Sequence, residues 1–167
     1  MEKMISQLSD QVRNLEIEDK YLTFLTDNQL FGVSIAQIMQ IVGMQEITPI
    51  PEFPKYMKGI INLRGNIIPV MDMRLRLNRD EISYNERTCI IVANIQEKFV
   101  GLIVDEVDEV RNISQENVSL PPKVKSNENN FVSGVAKLEN KIALILDLLK
   151  ILNFDEINDI VTNKYNK

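Results

Sequence analysis

From Lys20 onward the chain alternates apolar and polar positions in short runs separated by turn residues. KYLTFLT and QLFGVSI flank Asp27-Asn28, a pattern that predicts a β-hairpin. GIINL and NIIPVMDM flank Leu63-Arg64-Gly65-Asn66 in the same manner. RTCIIVA and KFVGLIVDEV form a third pair around a turn near 94–97, and FVSGVAKL and KIALILDLLKIL a fourth around Glu139-Asn140. Pro69, inside one arm, predicts that this arm lacks pairing on one side locally. Helical patterns are few. Residues 36–41 read as one or two helical turns, and Pro54 is placed to open a brief helix after the irregular passage QEITPIPEFPKY. The clearer helices, 72–77 and 147–153, each begin at an aspartate suited to capping. Such a chain is mainly β, built as small barrels or a sandwich.

The pattern repeats. Gly59 and Gly134 differ by 134 − 59 = 75, as do Asp72 and Asp147, while Gly32 and Gly101 differ by 101 − 32 = 69. These offsets predict two lobes of one topology, with a first copy at about 20–78 and a second at about 86–152. The extra residues fall in SLPPKVKSNENN, which reads as an exposed, mobile loop. Residues 1–19 form an amphipathic tail ahead of a domain at 20–155, and 156–167 a second tail. Ile5, Leu8, Val12 and Leu15 make a helical stripe, either packed on the body or ordered by a partner. Apolar residues at 151–161 extend the last helix or form another, and TNKYNK reads as disordered.

The copies act as internal controls. Gly59 to Asn66 aligns with Gly134 to Lys141, so glycine and the apolar positions persist while Arg64-Gly65 becomes Glu139-Asn140. A tight turn needs tolerance of positive φ, which Asn140 meets about as well as Gly65. Glu139 opposes Arg64 in charge, so the fold does not require a cation there. Arg64 is then a solvated turn residue or a guanidinium presented to a partner. Gly59 and Gly134 permit close strand crossing or approach by a partner; their presence in both copies favours the first.

Composition narrows the chemistry. The 167 residues carry a net charge of −5, which disfavours nucleic acid, and no histidine, which excludes His-dependent triads and phosphohistidine relays. Phosphate-loop and dinucleotide glycine motifs are missing, and no metal or cofactor is expected. The carboxylates Asp72, Asp105, Asp108 and Asp147 leave an enzymatic or ligand-binding barrel as a rival reading, each with a cap or solvated role as the alternative. Cys89 lies in an apolar run and reads as a buried structural thiol. No run nears the roughly 20 apolar residues of a membrane span, and the first residues do not form a secretory signal, so a cytoplasmic location is expected.

YLTFLTDNQLFGVSI, ITPIPEFPKYMKGIINLRGNIIPVMDMR and FVGLIVDEVDEV, in that order, resemble the CheW-like coupling proteins of bacterial chemotaxis. The resemblance spans 20 to about 155. It implies two intertwined five-stranded β-barrels of SH3-like topology, with short helices and a C-terminal helix, around a hydrophobic seam. It implies no enzymatic activity and two partners: the cytoplasmic tip of methyl-accepting chemoreceptors and the regulatory domain of a CheA-type histidine kinase, in arrays at the membrane. Arg64 matches the family's arginine in the Asn-Leu-Arg-Gly motif, completed by Asn62, Leu63 and Gly65, and Gly59 matches the glycine opening that strand. Val104, Val107 and Val110 align with an apolar groove that receives the receptor. Gln40 stands where the family often has a glutamate, which removes a charge. The alternative within the family is a coupling protein of a non-flagellar chemosensory pathway; a fused receiver domain is disfavoured because the chain ends soon after the second lobe.

Overall fold

A computed structural model describes residues 4, 5, 7, 19–122 and 131–152. The first repeat supplies β1 (Lys20–Thr26), β2 (Gln29–Ser34), a 3-10 turn (Ile35–Gln37), β3 (Ile38–Gly43), β4 (Met57–Leu63), β5 (Asn66–Asp72) and α1 (Met73–Arg76). The second supplies β6 (Cys89–Ile95), β7 (Lys98–Val104), β8 (Glu106–Asn112), a 3-10 turn (Gln115–Asn117), β9 (Val118–Ser119), β10 (Val132–Lys137), β11 (Ile142–Leu146) and α2 (Leu148–Leu152). The result is mainly β, two-lobed, with short helices.

The four hairpins form where alternation placed them. The two third strands, β3 and β8, were not legible as such. Residues 36–41 do not make a helix beyond Gln37, because Ile38–Gly43 pairs antiparallel with β6. PKYMK likewise makes no helix: a turn at 55–56 leads directly into β4 at Met57. Met57 N–H donates to Pro54 O at 2.9 Å, and Tyr56 O is taken by Asp72 N–H at 2.8 Å, which draws the chain into β4.

One sheet has the order β8-β1-β2-β11-β10-β9 and the other β3-β6-β7-β5-β4. Each repeat therefore gives its third strand to the sheet nucleated by the other's first hairpin. The last hairpins attach by parallel pairs, β11 with β2 and β5 with β7. β5 pairs with β7 from Val70 only, one residue past Pro69. The first sheet has six strands rather than the five expected, because the two-residue β9 pairs with β10.

Chain reach shows that these sheets curl. In a flat six-stranded sheet β8 and β9 would lie about 24 Å apart. Six residue steps join Asn112 to Val118, and even fully extended they span at most about 21 Å. In the other lobe Thr48 and Ile60 exchange two backbone hydrogen bonds of 2.9 Å, so the chain leaving β3 returns to the free edge of β4.

Alternation divides the apolar residues among three clusters. Cys89, Ile91, Ala93 and Ile95 face a central seam with Leu22, Phe24, Phe31, Val33, Met71, Leu102 and Leu148. Ile90 and Val92, on the opposite face of β6, fill one lobe with Ile61, Leu63, Ile68, Val70 and Ile103. Leu30, Ile113, Ala136, Ala143 and Ile145 fill the other. Ile5 is also buried in the seam; Leu8, Val12, Leu15, residues 123–130 of the linker and 153–167 lie outside the described residues.

The seam also carries polar ties. Arg76 Nε donates to Ile151 O at 2.6 Å while its guanidinium lies 4.5 Å from the ring centres of both Tyr56 and Phe131. Phe131 is the repeat mate of Tyr56, and Ile151 of Arg76, each at the 75-residue offset. Cys89 is buried, and burial pushes its thiol up to about 12.

Candidate partner-binding site

The tip of the β4–β5 hairpin is built by local chemistry. Leu63, buried, anchors it in its lobe, and Asn66 closes the pair opposite Leu63. Arg64 has φ +53° and Gly65 φ +89°, the left-handed values of a two-residue turn that matches strand twist. The Asn62 side-chain Oδ1 accepts from Gly65 N–H at 2.9 Å. Among the described residues, the Arg64 side chain makes no hydrogen bond or ion pair, and it is exposed. A charged group thus stands on a fixed backbone with nothing among the described residues to neutralise it.

Its repeat mate differs in a way the sequence did not reveal. Leu138 N–H donates to Lys141 O at 2.9 Å across a loop of the same length, yet neither Glu139 nor Asn140 adopts positive φ. Asn140 therefore does not substitute for Gly65, contrary to expectation. An asparagine tolerates the left-handed region, but tolerance does not impose it.

One face of this hairpin carries apolar side chains. Ile67, directly opposite Asn62 across the hairpin, is 55% exposed, and half-buried Ile60 and Pro69 form the next cross-strand pair. Ile67 was not singled out from sequence. Its signal was the doubling Ile67-Ile68, which breaks strict alternation and puts one isoleucine outside.

Other candidates fare unequally. Gly59 is a packing residue. It has φ +146°, and a Cβ there would lie 2.1 Å from Thr48 O, so the returning chain rather than a partner requires it. Val104 and Val107 are buried in the seam, Val104 on the face of β7 that also carries Val100 and Leu102. Val110 is half-buried on the edge strand β8. Gln40, half-buried, pairs with Val92 on β3, at the far edge of its sheet from β4.

The carboxylates all have structural work. Asp72 caps α1, accepting from Arg74 N–H at 2.9 Å and Leu75 N–H at 3.3 Å, and takes the Tyr84 hydroxyl at 2.8 Å. Asp147 caps α2 through Leu149 N–H and Lys150 N–H at 3.0 and 3.4 Å. Asp105 receives Arg74 at 2.8 Å and Asp27 N–H at 2.8 Å. Asp108 is held by Arg111 at 3.0 Å and Thr23 at 2.8 Å. Among the described residues no group of three or more His, Cys, Asp or Glu is arranged to hold a metal, and no helix is long and apolar enough to cross a membrane.

A family model described as the CheW-like domain matches residues 20–156. The chain belongs to the CheW-like family. It is 32% identical over 143 residues to the probable chemotaxis protein CheW of Rhizobium etli, covering 84% of this chain and 92% of that one. It is 31% identical over 136 residues to the chemotaxis protein CheW of Bacillus subtilis, covering 81% and 87%. The crystal structure of the scaffolding protein TtCheW from Thermoanaerobacter tengcongensis superposes with a TM-score of 0.72 at 36% identity, covering 77% of this chain and 88% of that one.

Proposed function

We propose that this chain is a non-enzymatic scaffold of chemotaxis, coupling the cytoplasmic tip of methyl-accepting chemoreceptors to the regulatory domain of a CheA-type histidine kinase. The observation that carries the site assignment is Arg64: exposed, without a partner among the described residues, and held on a hairpin whose repeat mate bears glutamate. Among the described residues nothing uses its charge. A receptor helix with an acidic or carbonyl-bearing face would accept it, with Ile67, Ile60 and Pro69 as apolar contacts around it. Val110 and Gln40 are secondary candidates, on edge strands where another chain can approach.

We read the curled sheets as the SH3-like barrels of this family, each closed by the chain that returns to its free edge. We read the chain as non-enzymatic because Asp72, Asp105, Asp108 and Asp147 are each tied to caps or ion pairs. Its place is the cytoplasmic face of receptor arrays, where many modest contacts add through multivalency.

Co-sedimentation with a receptor signalling fragment and the CheA-type kinase tests this. The wild type is expected to join both, and Arg64→Ala to keep its melting behaviour while losing receptor coupling. A wild type that joins neither partner would end the scaffold reading.

A further inference from the structure

The two last hairpins have loops of equal length but different backbone conformation: Arg64 and Gly65 have positive φ, and Glu139 and Asn140 do not. Four aligned positions from 62 to 66 distinguish them: Asn62 against Lys137, Arg64 against Glu139, Gly65 against Asn140, and Asn66 against Lys141, the last lying in β5 beyond the tip. Neither tip residue explains the difference well. Arginine resists positive φ as glutamate does, and asparagine is the side chain that best tolerates it after glycine. The position before the tip does explain it. Asn62 offers a carbonyl oxygen that takes Gly65 N–H at 2.9 Å, and lysine has no acceptor to offer.

We propose that Asn62 is a positioning residue: its side chain locks the β4–β5 tip in the left-handed turn that presents Arg64. This rests on the reading of Arg64 as the partner-binding cation. Asn62 need not touch the partner. Its hydrogen bond offsets part of the cost of holding a non-glycine residue at φ +53°. When the acceptor is lost, the tip populates the turn seen at Glu139-Asn140, and the guanidinium points elsewhere for part of the time. Affinity then falls with the competent fraction.

The test compares Asn62→Ala, Asn62→Lys, Asn62→Asp and Arg64→Ala in the full chain. Two readouts are needed: hydrogen exchange at the Gly65 amide without any partner, and titration with a purified cytoplasmic-tip fragment of a methyl-accepting chemoreceptor. Asn62→Ala and Asn62→Lys should speed Gly65 exchange and weaken binding about three- to tenfold, the range of one hydrogen bond. Their melting curves should match the wild type. Asn62→Asp keeps the acceptor and should restore slow exchange. Unchanged Gly65 exchange in Asn62→Ala overturns the inference, whatever the binding data. Wild-type binding by Asn62→Ala beside a non-binding Arg64→Ala also overturns it. Wild-type binding by Arg64→Ala instead removes the reading beneath it, and the presenting role with it.

Discussion

The two repeats share hairpins, caps and the offset of 75 residues, and they differ where one of them faces outward. The first repeat holds its tip left-handed under an arginine; the second, under a glutamate, has no residue at positive φ. The first caps its helix with an aspartate buried under Tyr84, and the second with an aspartate that accepts only backbone N–H groups among the described residues. Equivalent positions thus reveal which features the topology demands and which one copy alone uses.

The largest contrast lies at the glycines. A Cβ on Gly59 meets the backbone oxygen Thr48 O at 2.1 Å and requires φ +146°, whereas one on Gly134 meets the side-chain atom Val118 Cγ1 at 2.6 Å. Backbone cannot yield as a rotamer can. Gly59→Ala should cost about 3 kcal/mol or more and Gly134→Ala about 1 kcal/mol in urea unfolding. Equal costs would refute the distinction between backbone and side-chain crowding.

The caps come next. Asp72→Ala removes two cap bonds and the bond from Tyr84, whose side chain is 37% exposed and can turn to water, for a loss of about 1–2 kcal/mol. Asp147→Ala removes a cap alone, about 1 kcal/mol. Tyr84→Phe should account for the difference; equal costs for the two aspartates would mean that the tyrosine bond is idle.

The same tyrosine makes the first repeat sensitive to alkali. Burial raises the Tyr84 phenol above its ordinary value, and the bond to Asp72 and that carboxylate's charge raise it further. A raised acid contributes stability that is complete below its unfolded pKa, about 10, and is lost as pH climbs beyond it. Cys89, pushed up to about 12, adds a loss that starts near its unfolded value of about 8.5 and continues to about 12. Chemical unfolding from pH 8 to about 12 should therefore weaken the wild type more steeply than Tyr84→Phe, which keeps only the cysteine's share. Superimposable pH profiles would show that the Tyr84–Asp72 pair adds nothing.

The smallest effect concerns the tip itself. Arg64 occupies a conformation that glycine adopts freely, so Arg64→Gly should stabilise the fold by about 1 kcal/mol while abolishing receptor coupling. Glu139→Gly should bring no such gain, since Glu139 is not left-handed. A shared gain would contradict the assigned turns.

The hairpins, the repeat and both capping aspartates were legible because each depends on residues close in sequence. Alternation marks β1, β2 and β4–β7, and an aspartate before a short apolar run marks a cap. β8 was harder to see: EVDEVRN mixes charges into its alternation, and its partner β1 lies far away in the chain. Gly59 was legible as a packing glycine through its mate Gly134, but not what it packs against. A motif places Val104 and Val107 along their strands without saying what lies on either side; the fold buries both.

Sequence by itself determined where the four hairpins lie, that the chain is duplicated, and that Arg64 is free of any duty the repeat enforces. Tertiary structure alone decided that β3 and β8 cross to the other repeat's sheet and which apolar face meets the seam. The reason is range. Periodicity and capping act within a few residues, whereas strand exchange and burial at a seam depend on contacts that only the folded chain brings together.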